Sequence, residues 1–424
     1  MDETSFPNAK PRQLLLIGYK AFADLAGKGS LFVITIVAAR RLSPESFGVF
    51  SLGSALGWMV AVVSDAGIQL HLARAVARRP EQAPQLLRQW LQVRVWTTAI
   101  AIACVALGLT AGWRGPFAVP IAILALAYAC SGLVELLHYF YRGVSRSDVE
   151  SSLTLWQRGG TLACGLIALA CKPDVTLLAI AMLIPAAATL GWSVRIASRM
   201  TDGTDGGGVR GPVSSFATFR REIWPIGAGI VLSALYFRID VFLVQLWSGT
   251  ESVALYNAVF RLVEALRLFP AAVLAVMLPA LVRAGDLRPL ARAAVPVTVF
   301  AIAATAGLWL AADWMIPWLY GARYGPAVPA FRVLLLSFPL LSLNLALTHQ
   351  LIGWDGQRAY AALCALALGI NVALNARLIP VWSIEGAAWA TLGTELVLTT
   401  GCAVALWIAR APVRARPAPL ATEA

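Results

Sequence analysis

The sequence predicts an all-α polytopic membrane protein with twelve transmembrane helices. Three observations predict it. Of 424 residues, 59% are hydrophobic and 13% charged, against about 25% charged in an ordinary soluble domain. Mean hydropathy is +0.73, more apolar surface than a soluble globule can hide. Apolar runs recur at about 20 residues, the length a helix needs to cross the hydrocarbon core. The alternating segments of about 10 residues that mark an outer-membrane barrel are absent.

The first span, 14–39, is an apolar run interrupted by Lys20, Asp24 and Lys28. No small-residue cleavage site precedes it, so a retained span is expected rather than a removed leader. The second, 47–70, follows the turn at Ser43-Pro44-Glu45. A basic stretch with apolar interruptions, RAVARRPEQAPQLLRQW, then leads to the third span; it suits the headgroup layer. Spans three to six run near 90–112, 117–141, 149–171 and 175–198. The Gly-rich stretch TDGTDGGGVRGPVSS at 201–215 reads as a flexible linker. It sets a plan of 1–200 as an N-terminal six-helix bundle, 201–219 as a cytoplasmic linker and 220–424 as a C-terminal six-helix bundle. The seventh span, 224–247, opens on the breaker cluster Trp224-Pro225-Ile226-Gly227-Ala228-Gly229. The eighth, 252–283, carries Arg261, Glu264 and Arg267. The last four lie near 290–319, 327–353, 358–380 and 384–409, with Trp318, Trp354 and Trp382 near their ends as an aromatic belt.

The halves echo each other. Glu45, Ser46 and Phe50 recur as Glu251, Ser252 and Tyr256, 206 residues on and at the equivalent junction. Duplicated transporter halves usually bind their substrate where the halves meet.

Net charge is +12, carried by 34 Lys and Arg against 22 Asp and Glu. In a soluble protein that balance would suggest nucleic acid. Here it reads as orientation: twenty of the bases fall in segments on the side of the N-terminus and five in the opposite loops, which places both termini in the cytoplasm. Arg40 and Arg41 do not fit that count. The six cysteines lie within or beside apolar segments and form no C-x-x-C pair, so neither disulfide nor metal site is expected. No Walker A motif or HExxH motif occurs, and the short loops leave no room for a catalytic domain. No cofactor and no enzyme activity are expected.

Charge inside a span costs at least about 2.5–3.5 kcal/mol and marks a cavity or a partner. Lys20, Asp24 and Lys28 stack on one face at i, i+4 and i+8. Either they form an ion-pair ladder, or the surplus base serves an anionic guest. Arg238 and Asp240 lie on different faces and should not pair. Arg261, Glu264 and Arg267 share one broad face, and Arg158 sits mid-span. Lining a lumen and buried pairing both remain open for this group. Asp24, Asp240 and Glu264 are candidates for charge pairing or ion coupling. Arg94, Arg332 and Arg377, near expected span ends, read as snorkelling to the interface.

The run Ala39-Arg40-Arg41-Leu42-Ser43-Pro44-Glu45-Ser46-Phe47-Gly48-Val49-Phe50 resembles the helix 1–2 junction of polysaccharide exporters. Asp65-Ala66-Gly67 followed by Arg74-Ala75-Val76-Ala77 is similar to the family's D-x-G and R-x-x-A. Arg238-Ile239-Asp240, Tyr256-Asn257-Ala258, Arg261-Leu262, Pro270 and Pro279-Ala280-Leu281 resemble its helix 7–8 region. The family is that of O-antigen flippase-like polysaccharide transporters, in the multidrug/oligosaccharidyl-lipid/polysaccharide exporter superfamily. The resemblance also accommodates Arg40 and Arg41. It implies two six-helix bundles around a central cavity, and a flippase for undecaprenyl-diphosphate-linked oligosaccharide in the bacterial inner membrane, working beside glycosyltransferases and a polysaccharide polymerase. Lys20, Lys28, Arg158, Arg238, Arg261 and Arg267 are the positions that would meet the diphosphate. The competing expectation is an ion-coupled drug or metabolite exporter of the same architecture.

Overall fold

The computed structural model describes residues 11–112, 117–201, 224–283, 286–354 and 356–414. All but the first residue of the expected 201–219 linker lies outside the described residues, as do Lys10, Trp113, Arg114, Arg210, Arg220, Arg221 and Arg416. Every element among the described residues is a helix. In order they are α1 (Pro11–Arg41), α2 (Pro44–Asp65), α3 (Ile68–Arg78), α4 (Ala83–Gly112), α5 (Ala118–Gly143), α6 (Ser147–Cys171) and α7 (Val175–Thr201). There follow α8 (Trp224–Ser248), α9 (Thr250–Leu266), α10 (Leu268–Arg283), α11 (Arg288–Tyr320), α12 (Val328–Gly353) and α13 (Gln357–Arg414). Among the described residues, nine stretches are long and apolar enough to cross a membrane. The last of them, Gln357–Ala409, covers 53 residues. Ser383, at φ 49° and ψ −125°, breaks it, where the eleventh and twelfth expected spans part. α6 is not among the nine, because Gln157, Arg158 and two glycines interrupt its apolar run.

Two expected spans are shorter than the apolar pattern suggested. The run 47–70 ends as a helix at Asp65. Ala66 (φ 42°) and Gly67 (φ 89°) take the left-handed conformation and turn the chain. Asp65 fixes this corner by accepting from the backbone N–H groups of Gly67 and Gln69, both at 3.1 Å, and so caps α3. Gly67→Ala should cost about 1–2 kcal/mol, the left-handed penalty of a Cβ, read as a lowered melting temperature in detergent. The run 252–283 likewise divides at Arg267, the C-cap of α9. The junction motif at 43–50 is also a turn device. Ser43 Oγ accepts from the Ser46 N–H at 3.2 Å, Pro44 occupies the first helical turn, and Phe47 and Phe50 are buried.

The chain divides into two compact units, Met1–Gly227 and Ala228–Ala424. In the first, α1 packs on α6, α2 and α7 pack on α5, and α3 lies against α4 and α5. Gly57 permits the α2–α5 approach, since a methyl there would lie 2.9 Å from the Tyr128 ring. α3 turns Ile68, Leu72 and Val76 into a core with Leu86, Trp90, Leu137 and Phe140, and leaves Arg74 and Arg78 exposed. In the second unit α12 is central, packed by α10, α11 and α13.

Candidate functional site

Each unit gathers charge around one carboxylate. In the first unit that carboxylate is Glu150, in the first turn of α6, where the helix dipole favours an anion. It is 2% exposed. Lys20 Nζ of α1 donates to its two oxygens at 2.9 and 3.1 Å. Arg142, in the last turn of α5, donates from Nε at 2.9 Å to each oxygen and from Nη2 at 2.5 Å. The Arg142 guanidinium also lies 4.4 Å from the Tyr139 ring centre. The carboxylate is sealed while about a third of each cation side chain stays exposed. The triad thus presents one net positive charge.

The helix 1 ladder is therefore corrected: Lys20 pairs across to α6 and not with Asp24. Asp24 is exposed and its charge acts on Arg142. Lys28 is exposed one turn further along the same face of α1. Among the described residues neither Asp24 nor Lys28 has an ion-pair partner. Arg158 of α6 lies along Gly27, where a methyl would sit 3.2 Å from its Cγ, and its charge faces Glu135 of α5. Lys20, Asp24, Arg142 and Arg158 thus gather along the α1–α6 face.

Arg94 does not snorkel. Its α4 starts at Ala83, so Arg94 lies three turns inside and is 1% exposed. It donates to Ser64 Oγ and to the Ala61 carbonyl, both at 2.8 Å, tying α4 to the end of α2 beside Asp65. Gly132 of α5 makes room for it, since a methyl there would lie 3.0 Å from Arg94 Nη2 and 3.2 Å from Ala61 Cβ. Gly132→Val should cost about 1–3 kcal/mol by overpacking, visible as a lower melting temperature, while Gly108→Val, with open space around it, should not share that overpacking loss.

In the second unit the carboxylate is Glu264 of α9. It accepts from Arg238 Nη2 of α8 at 3.0 and 2.9 Å, and from Arg261 Nη1 at 2.8 Å. Arg238 is 3% exposed, with the rings of Phe237 and Phe260 at 5.3 and 5.2 Å. Arg267 stacks on Phe237 at 4.6 Å, and its charge also acts on Glu264. Three arginines around one acid leave two positive charges. Asp240 is bonded elsewhere: it accepts from the hydroxyl of Tyr256 and, at 2.8 Å, from the Val241 N–H.

Another buried carboxyl, Glu395 of α13, accepts from Tyr236 and, at 2.5 Å, from Asn344 Nδ2. Glu150, Tyr236 and Asn344 were not singled out by the sequence reading. Glu150 falls at a span edge, and uncharged polar residues stand out little among apolar ones.

The arrangement of helices has counterparts among solved structures. The chain is similar, over 91% of its length and 94% of the other, to an inward-facing multidrug resistance MATE family transporter of the MOP superfamily, at TM-score 0.69 and 16% identity. It is similar to the lipid II flippase MurJ in an inward closed conformation, over 94% of this chain and 90% of that one, at TM-score 0.69 and 12% identity. A MOP superfamily transporter from Pyrococcus furiosus, described as having a binding pocket of reverse polarity that suggests a different function, matches over 94% and 96% at TM-score 0.58 and 15% identity. No curated protein shows significant sequence similarity to the chain. The fold is thus that of MOP-superfamily membrane transporters. Within that class, residues 17–284 match the family described as polysaccharide biosynthesis protein, and the chain belongs to it. Both motif segments that carried the resemblance lie inside the matched residues.

Proposed function

We propose that the protein is a flippase that carries an undecaprenyl-diphosphate-linked oligosaccharide across the bacterial inner membrane by alternating access. The observation that carries this reading is the surplus of positive charge around both Glu150 and Glu264. A diphosphate is an anion that multidentate Arg and Lys groups recognise in low dielectric. Of the six candidate cations, Lys28, Arg158 and Arg267 form no ion pair among the described residues, so they are assigned to the phosphates. Lys20, Arg238 and Arg261 hold the carboxylates and shape the surface. The family membership and the fold shared with a lipid II flippase support the same reading. The glycan would come from glycosyltransferases inside the cell and pass to a polymerase outside, with both termini of this chain cytoplasmic. An ion gradient or the membrane potential would supply the energy, because the sequence carries no Walker A motif. An exporter of cationic drugs would favour acids over bases at its surface, the opposite of the balance seen here.

The test is complementation of a strain lacking its own glycan flippase. Lys28→Ala, Arg158→Ala and Arg267→Ala, each at normal expression, should reduce surface polysaccharide at least tenfold. Full export by all three would remove the assignment.

A further inference from the structure

The second unit carries an apolar groove that the transport reading does not use. It measures about 400 Å³ and lies between α11 and α12, lined by Ile302, Thr305, Trp309, Leu310, Leu336 and Pro339. Its origin is a proline. Pro339 has no N–H to offer the Leu335 carbonyl one turn back. Thr305 of α11 donates to that carbonyl instead, at 3.0 Å, so the broken turn is satisfied without closing the gap. The groove is open to the outside of the unit: Leu310 is 76% exposed and Ile302 55%.

Its polar end is specific. Arg332, one turn before Leu336 on α12, donates to Asp313 Oδ2 at 2.5 Å and to the Trp309 carbonyl at 3.3 Å. The Trp309 ring lies 4.7 Å beneath its guanidinium. The pair is not sealed: the Arg332 side chain is 29% exposed and that of Asp313 70%. Trp314 and Trp318, stacked at 5.6 Å, continue the exposed face towards the helix end, as an interfacial belt does. A positive and a negative group therefore sit side by side where an apolar groove meets the interface.

We propose that this groove binds one phospholipid with a phosphoethanolamine headgroup. One acyl chain fills the groove, the phosphate meets Arg332, and the ammonium donates to Asp313. The charge pattern selects the headgroup. A purely anionic lipid would bring its phosphate to Arg332 with no ammonium to meet the neighbouring Asp313 carboxylate. A quaternary ammonium has no N–H to give the carboxylate. The assignment does not depend on the transported substrate.

The experiment is native mass spectrometry of the full-length protein in detergent, after exchange with dioleoyl phosphatidylethanolamine, phosphatidylcholine or phosphatidylglycerol. The wild type should retain one phosphatidylethanolamine at least tenfold more strongly than either other lipid. Asp313→Asn, at an exposed position, should abolish that preference. Ala306→Phe, at a further position lining the groove, and Leu336→Trp as a second filling variant, should abolish retention while the melting temperature stays near that of wild type. Equal retention of the three lipids by the wild type, or retention unchanged in Asp313→Asn and in both filling variants, would mean annular lipid only and would overturn the proposal.

Discussion

Glu264→Ala should destabilise the protein by at most about 3 kcal/mol, the lower end of the loss for breaking a buried pair, because the Arg238 side chain is 4% exposed while that of Glu264 is 31%. Arg238 is 3% exposed, and Glu264 is the acid its guanidinium is hydrogen-bonded to. Without it, Arg238, Arg261 and Arg267 would repel one another around Phe237 and Phe260. The loss belongs to the stranded charge rather than to the pair. An apolar double variant, Arg238→Met with Glu264→Leu, should therefore recover most of it. Thermal unfolding in detergent measures both. If Glu264→Ala melts with the wild type, the guanidinium is solvated by some other route and the cluster is not a closed unit.

Asp65→Ala should release α3 from the first unit. It removes the two bonds to the Gly67 and Gln69 N–H groups, a cap worth about 0.5–2 kcal/mol. It also removes the nearby negative charge that acts on buried Arg94, adding to the cost of that charge. The apolar contacts of Ile68, Leu72 and Val76 would then have to hold the helix alone. Limited trypsin digestion should cut between Arg78 and Arg79 at least tenfold faster than in the wild type. An unchanged digestion rate would show that the core under α3, and not the corner, anchors it.

The membrane class was legible because composition alone forbids a soluble globule. Most helix positions were legible because apolar runs reveal them, though the runs 47–70 and 252–283 each conceal a break. What stayed hidden shares one physical cause: sequence patterns see only a residue's own helix. The i, i+4 rule offered Asp24 to Lys20, whereas the better partner is Glu150, 130 residues away across the α1–α6 contact. Arg94 passed for a terminal residue because the polar start of α4, from Ala83, did not read as helix. The corner at Asp65–Gly67 was invisible because Ile68, Leu70 and Leu72 continue the apolar run while facing a different core. Motif residues of the first half, Ser43, Pro44, Asp65 and Gly67, proved to build a turn and a corner, whereas those of the second half, Arg238 and Arg261, hold Glu264.

The most direct measurement is translocation in proteoliposomes, using a fluorescent short-chain prenyl diphosphate disaccharide and an imposed ion gradient. The wild type should move the probe across the bilayer. The triple variant Lys28→Ala/Arg158→Ala/Arg267→Ala, with an unchanged melting temperature, should fall to the rate of protein-free liposomes. A folded triple variant that moves the probe at the wild-type rate would contradict the account, because transport would then owe nothing to the cations on which it rests.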